Sequence, residues 1–243
     1  MARCLGPHVD ALLDAVYPPA CRLCGAAADD GWSCAEHRLP EGPPGERCGR
    51  CAGRLPRGLP DGYPCAECRG APPRFGRAVV ALDYRASEAG RAWILALKHG
   101  GRRDLAAPLG AVLGRRLLAV AARAEDALLV PVPLHPLRRL ERGYDQALLL
   151  ARAVGRAVDL DVARALVRRR STRVQGAPGS PSRTANVRGA FRLDNSAEPS
   201  VAGRAVWLVD DVVTSGATAN ECARVLRRAG ARRVDVLALA RAG

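Results

Sequence analysis

The sequence predicts an α/β protein: a parallel β-sheet with helices on both faces, preceded by a small cysteine-rich domain that needs metal to fold. Two observations carry this. Short runs of consecutive apolar residues, such as "ALLVPVP" (127–133), "RAVWLVDD" (204–211) and "RRVDVLALA" (232–240), are separated by stretches with helical apolar spacing. Strands without polar alternation are buried on both faces, which is the condition of a helix-covered parallel sheet. Ahead of residue 75 the chain changes character. It becomes rich in Pro, Gly and paired cysteines and poor in large apolar residues, so burial alone cannot fold it. The expected division is residues 1–75 and residues 76–243.

Taken in order, Val9, Leu12, Leu13 and Val16 fall at helical spacing after Pro7 and predict a short amphipathic helix. Asp10 and Asp14 interrupt that apolar pattern, which argues against a secretory signal. No apolar run approaches about 18 residues, so no membrane insertion is expected, and the expected location is cytoplasmic. Cys21-x2-Cys24, Cys48-x2-Cys51 and Cys65-x2-Cys68 are knuckle-type pairs, and Cys34-Ala-Glu-His37 is a fourth with His as its second member. Each pair brings two ligands to one tetrahedral ion from a tight turn. Four half-sites combine into two ions in three ways. The shortest connecting loops select Cys21, Cys24, Cys34 and His37 for one ion, and Cys48, Cys51, Cys65 and Cys68 for the other, two structural zinc ions in all. Cys4 and Cys222 stand alone.

"AVVALDY" (78–84) reads as the first strand, and Ser87 is placed to cap a helix running to about Leu97. A second helix is expected over 104–124 with Asp104 at its start, then the strand 127–133, then a helix over 144–158 with Leu148, Ala151 and Val154 on one face. Beyond the strand 204–211, a helix over 217–229 ends at Gly230, a left-handed stop. Between the helix over 144–158 and the strand 204–211, "STRVQGAPGSPSRTANVRGA" (171–190) is a long Gly/Pro/Ser/Arg loop, expected to be a lid or an insert.

Hydrophobic content of 48% and charged content of 26% are those of a globular domain, with a core built from Ala, Leu and Val because only nine residues are aromatic. The formal net charge is +14. It reflects either arginine drift on solvated faces or attraction to a polyanion, whether nucleic acid or a phosphate-rich small molecule. The 38 basic positions include a single lysine, Lys98, in "LALKHGGRRDLA". Lysine offers a compact charge where arginine offers a planar fork, so its retention points to a site that discriminates between them.

The strongest chemical signal is "VWLVDDVVTSGATANEC" (206–222): an apolar strand, an acid pair at its carboxyl end, and Thr214-Ser215-Gly216-Ala217-Thr218 leading into a helix. Ligands of parallel sheets bind at the carboxyl ends of strands. The turn exposes backbone N–H groups and hydroxyls at a helix start, a cradle for a phosphate monoester. Asp210 and Asp211 cannot hold the phosphate, because like charges repel. They suit sugar hydroxyls instead, alongside a magnesium ion, and the whole pattern fits a ribose 5-phosphate.

"LVDDVVTSGAT" resembles the signature of type I phosphoribosyltransferases, which bind phosphoribosyl pyrophosphate (PRPP). "LALKHGGRRDLA" (95–106), "VPVPLHPLRRLERGYDQALLLA" (130–151) and "RRRSTRVQGAPGSPSRTANVRGAF" (168–191), behind a zinc ribbon, resemble the ComF family of competence-associated phosphoribosyltransferase-like proteins. The resemblance covers essentially the whole chain. It implies the type I phosphoribosyltransferase fold behind a double zinc ribbon, with Asp210 and Asp211 on the ribose hydroxyls. Thr214, Ser215, Gly216, Ala217 and Thr218 would hold the 5-phosphate, and Lys98, His99 and Gly100 the pyrophosphate. Asp210, Asp211 and Lys98 would be the catalytic set, with Mg2+ accompanying PRPP. It further places Arg173, Gln175, Arg183 and Asn186 on the lid, and Arg138, Arg142, Tyr144 and Gln146 on the acceptor side. The family usually shows Asn where this chain has Asp145, which puts an amide contact there in doubt. His135 reads as a loop or core histidine.

Two functions follow. One is phosphoribosyl transfer to an unidentified acceptor. The other is handling of incoming single-stranded DNA in natural transformation, with a regulatory or vestigial PRPP site. A third possibility makes the ribbon a docking module for a helicase-type protein.

Overall fold

The computed structural model describes residues 18–121, 126–170 and 187–243. The expected helix at Val9–Val16 and most of the expected lid, including Arg173, Gln175, Arg183 and Asn186, lie outside these residues. Among the described residues no helix is long and apolar enough to cross a membrane.

After a five-residue helix in the cysteine-rich segment, α1 (Ala66–Gly70), the chain enters the sheet domain. It runs β1 (Ala78–Asp83), α2 (Glu88–His99), α3 (Ala106–Val120), β2 (Ala127–Pro131), α4 (Pro136–Arg142) and α5 (Gln146–Val158). It continues through β3 (Asp161–Val162), β4 (Leu166–Arg168), β5 (Phe191–Leu193), α6 (Glu198–Val201), β6 (Ala205–Val213), α7 (Ala217–Arg228) and β7 (Arg233–Arg241). Five strands form one sheet in the order β1-β7-β6-β2-β3, every pair parallel. β4 and β5 form a separate antiparallel hairpin.

The central strands are apolar on both faces because each face is covered. Trp207 and Val209 of β6 point to the side packed by α2, α3 and α5, where Trp93, Leu113 and Leu150 are fully buried. Val206 and Leu208 point to the side packed by α7 and the hairpin, with Cys222, Leu226 and Phe191. The period-two alternation of a strand thus divides one apolar run between two cores. α3 and α5 approach so closely that a Cβ at Gly110 would lie 2.3 Å from the Ala153 Cβ, so only glycine fits there.

Several boundaries differ from expectation. Ser87 caps α2 as expected, its Oγ accepting from the Gly90 N–H at 2.9 Å. Asp104 does not cap α3: a 3-10 turn, Arg103–Leu105, precedes that helix, and Asp104 pairs with Arg102 at 2.7 Å. α5 begins at Gln146 because Asp145 is its N-cap, accepting from the Leu148 N–H at 3.1 Å. That is the role an asparagine would also fill. β6 continues through Val213, since the nine-residue β7 supplies partners up to Arg241, so the acid pair lies inside the strand rather than after it. The short helices α1, α4 and α6, the strand β3 and the β4–β5 hairpin were not expected.

The cysteine-rich segment docks on the sheet domain at specific points. The Ala78 N–H donates to the Arg50 carbonyl at 2.7 Å at the edge strand. Arg47 and Asp83 form an ion pair at 2.7 Å with side chains only 10% and 12% exposed. The Trp93 indole N–H of α2 donates to the His37 carbonyl at 2.8 Å. Trp32 meets the Trp93 ring edge-on, centroids 4.8 Å apart.

Candidate functional site

The two cysteine-rich sets come together as the loop lengths suggest. Cys21, Cys24, Cys34 and His37 form one cluster, and Cys48, Cys51, Cys65 and Cys68 the other, each with all ligand atoms within 4.8 Å of one another. Contacts of 3.7 Å between the Cys24 and Cys34 sulfurs and 3.8 Å between those of Cys51 and Cys65 match the roughly 3.8 Å edge of a tetrahedron with about 2.3 Å zinc–sulfur bonds. The knuckle turn prepares one thiolate in each cluster, while the pKa is raised at Cys24, against the pull of the Ala26 N–H, and at Cys51 and Cys68, chiefly by burial. Burial works against ionisation of Cys21, but the N–H groups of Cys24, Cys34 and Leu23 outweigh it and lower the pKa to about 6. Cys48 behaves alike, also to about 6, through the N–H groups of Cys51, Cys65 and Arg50. The donor set therefore fits a metal ion in each cluster.

The second centre forms where β6, α2, α4 and α7 meet. Asp210 and Asp211 are successive strand residues, so their side chains leave opposite faces of the sheet. Asp211 is 4% exposed and faces α2, where the Lys98 Nζ lies 3.1 Å from its Oδ1. Its Oδ2 is buried with no partner among the described residues. Asp210 is half-buried and accepts the Asp211 N–H at 2.8 Å through Oδ1. Burial and the neighbouring Asp211 carboxylate push its pKa up to about 8, against the pull of Lys98. On that side α7 places Cys222, a thiol that burial pushes well above its ordinary range.

The turn after β6 has the expected form. Gly216 adopts φ 75°, the left-handed conformation that favours glycine, and is the N-cap of α7. No side chain accepts from the N–H groups one turn in, as a capping residue would. The Ser215 Oγ makes only a 3.4 Å contact with the Ala217 N–H. Thr214 and Ser215 are exposed, while Gly216 and Ala217 are buried. The N–H groups at the start of this twelve-residue helix are therefore left without a side-chain acceptor, the arrangement that suits an anion.

Lys98, His99 and Gly101 line one wall of a cavity of about 590 Å³, with Arg138, Glu141 and Arg142 of α4 on the other. Three cations against one acid suit an anion. One guanidinium nitrogen of Arg142, Nη1, is buried without a partner among the described residues, as is the Gln146 Oε1. Gly100 closes α2, and a Cβ there would lie 2.9 Å from the Ala96 carbonyl oxygen. Tyr144 is buried, and its hydroxyl donates to the Leu97 carbonyl, tying the α4–α5 junction to the last turn of α2. Arg103 reinforces that tie, donating to the Gly143 carbonyl at 2.8 Å and stacking over the Tyr144 ring at 5.0 Å. The structure thus brings Lys98, His99, Arg138 and Arg142 to one cavity, and gives Tyr144 a supporting position beneath it. His135 caps α4, its Nδ1 accepting from the Leu137 N–H at 3.3 Å.

Sequence reasoning missed Glu141 as a lining residue because it missed α4, and missed Gly101 because the expected pyrophosphate set stopped at Gly100. The signal was present: Pro136 at a first helical position and Gly143 just beyond the end are the start and stop of a short helix. That helix puts Arg138, Glu141 and Arg142 at i, i+3 and i+4, on one face.

The phosphoribosyl transferase domain family matches residues 144–243. The DNA utilization protein YhgH of Escherichia coli K12 is 35% identical over 184 residues, 73% of this chain and 78% of that protein. Its counterpart from Salmonella typhi is 35% identical over 203 residues, 80% of this chain and 83% of that protein. Competence protein F of Haemophilus influenzae is 38% identical over 115 residues, 47% of this chain and 50% of that protein.

Proposed function

The chain belongs to the ComF family of phosphoribosyltransferase-domain proteins, and from that premise we propose that it binds PRPP with Mg2+ and transfers the phosphoribosyl group to an acceptor. The observation that carries the reading is the convergence of the Asp210/Asp211 pair, the uncapped turn at Gly216 and the Lys98 end of α2 at the carboxyl end of β6. A ribose 5-phosphate held by the turn presents its hydroxyls to the two carboxylates. Its pyrophosphate then points into the cationic cavity of Lys98, Arg138 and Arg142. The orphaned Asp211 Oδ2 fits this use, because a buried acceptor without a partner is costly unless a ligand supplies one.

In the reaction the bond between ribose C1 and pyrophosphate breaks, and positive charge develops on the sugar. Mg2+ accompanying PRPP would neutralise charge on the leaving group. Lys98 and the α4 arginines stabilise the same departing charge from positions set before the reaction. Tyr144 acts one step removed: its bond to the Leu97 carbonyl holds the last turn of α2 and hence the Lys98 ammonium. Arg173, Gln175, Arg183 and Asn186 are assigned to water exclusion over the site, a requirement of transfer without hydrolysis.

The reading includes a zinc ion in each cysteine-rich cluster and a cytoplasmic location, where thiols remain reduced. A link to DNA uptake enters from the relatives, which are named for DNA utilization and competence. The net charge of +14 favours a second reading, in which the protein handles single-stranded DNA and PRPP serves as its regulator. Calorimetry with PRPP, Mg2+ and a panel of nucleobases separates the two. Turnover of a base supports transfer, and binding without turnover supports regulation.

A further inference from the structure

Beside the phosphate turn, on the outer side of α7, lies a groove of about 650 Å³ walled by α7, residues 187–189 and Arg74. We propose that this groove binds the sugar-phosphate backbone of single-stranded nucleic acid. The inference rests on the DNA-linked part of the reading above and gives it a surface.

Four arginines line the groove: Arg74, Arg188, Arg224 and Arg228. Its one acid, Glu221, is already engaged. Its carboxylate accepts two bonds from Arg224, at 2.9 and 2.7 Å, and one from the Gly189 N–H at 2.8 Å. Among the described residues no carboxylate forms an ion pair with Arg74, Arg188 or Arg228. All three are exposed, so the groove presents three uncompensated charges to solvent. That exposure keeps each charge individually weak, and it makes a row of them useful only to a ligand that spans the row.

The row has the right form for a polyanion. Asn220, Arg224 and Arg228 stand at i, i+4 and i+8 on α7, so successive donors are about 6 Å apart along the helix. That spacing is close to the separation of neighbouring phosphates on an extended strand. The Asn220 Oδ1 accepts the Arg74 N–H at 2.8 Å, which pins the Arg74 backbone against α7 and leaves the amide NH2 as a neutral donor in the row. Ala217 lines the far end, so the groove runs up to the turn proposed for the 5-phosphate. No aromatic residue lines it, which excludes base stacking as the main source of affinity and makes binding sequence-independent and steeply dependent on salt. The concave walls at Arg74 and at residues 187–189 favour a flexible single strand over a rigid duplex.

The test is anisotropy of a labelled oligothymidylate with the full, zinc-loaded chain over a salt series. It compares wild type, a groove variant (R74A/R188A/R228A) and a control variant (R91A/R115A/R156A) that removes equal charge from exposed positions on other helices. Each phosphate contact on a single strand contributes about 0.7 to the slope of log K against log salt, so the groove variant should lose about 2 from that slope. The control should lose less than about 0.7, the value of one contact. A duplex probe should not distinguish the two variants. Equal losses in both variants, or no binding by wild type, would overturn the proposal, because net charge alone would then account for the data. PRPP binding measured on the groove variant should equal that of wild type. Failure of the PRPP reading would appear instead as absent binding in wild type, independent of the DNA result.

Discussion

Replacing Asp210 with asparagine should stabilise the protein, and the gain should grow as pH rises. Burial and the Asp211 carboxylate raise the Asp210 pKa from its ordinary 3.8 to about 8. Over that interval the folded chain keeps a proton that the unfolded chain has lost. Stability contributed by this group therefore falls continuously from about pH 4 to about pH 8, the reverse of a salt-bridged aspartate. Between pH 5.5 and pH 8 the span is about 2.5 units at about 1.4 kcal/mol each, an upper limit of about 3.4 kcal/mol. Solvent at the half-buried carboxyl lowers this to about 2–3 kcal/mol. For a chain of this length each kcal/mol moves the Tm by about 2–4 °C, so the D210N advantage should widen by about 4–12 °C across that range. The assay is thermal unfolding of zinc-loaded wild type and D210N, followed by tryptophan fluorescence, at pH 5.5, 7 and 8.5. A Tm difference that stays constant across the series would refute the reasoning, since Asp210 would then be ionised throughout. Ribose hydroxyls donating to this carboxyl favour its ionised form, so PRPP binding near pH 7 should release protons, visible as a dependence of binding enthalpy on buffer.

Three further outcomes follow. Lys98→Arg should weaken PRPP binding several-fold despite equal charge, because a longer planar fork pairs with Asp211 in a different geometry and moves the charge away from the compact position 3.1 Å from its Oδ1; unchanged affinity would remove the special role of the one lysine. Extraction of metal from the cluster of Cys21, Cys24, Cys34 and His37 should weaken PRPP binding, because the His37 carbonyl anchors Trp93 on the same helix that carries Lys98. Trp93→Phe, which removes the N–H together with part of the buried ring, should speed metal loss to a chelator, and identical release rates would sink that link. Arg47→Met should destabilise by about 3–5 kcal/mol by leaving the buried Asp83 carboxylate without its cation, whereas the double variant with Asp83→Asn, which removes the charge but keeps an acceptor for the Arg85 and Ala86 N–H groups, should recover much of that in denaturant unfolding; additive losses would contradict a coupled pair.

Much of the fold was legible because apolar runs and helical periods mark a covered parallel sheet without reference to tertiary structure. The metal sets were legible too, since the shortest loops define them. The acid pair and Gly216 were visible as a local pattern of a few adjacent residues. What was hidden is non-local. Nothing near Trp93 in sequence announces that its N–H reaches His37, fifty-six residues away. The Arg47–Asp83 pair joins two segments whose local compositions give no sign of each other. The β4–β5 hairpin was lost because two three-residue strands are too short for a period. The groove on α7 was hidden because Arg74 and Arg188 reach it from distant segments, and among 37 arginines no single one stands out.

The central claim is that Asp210, Asp211 and the turn at Gly216 form a PRPP site. Isothermal calorimetry of the zinc-loaded chain with PRPP and Mg2+, on wild type and on D210N/D211N, tests it most directly. The account predicts saturable 1:1 binding by wild type that the double variant loses while remaining folded. Absence of binding by wild type, or equal binding by both proteins, would contradict it.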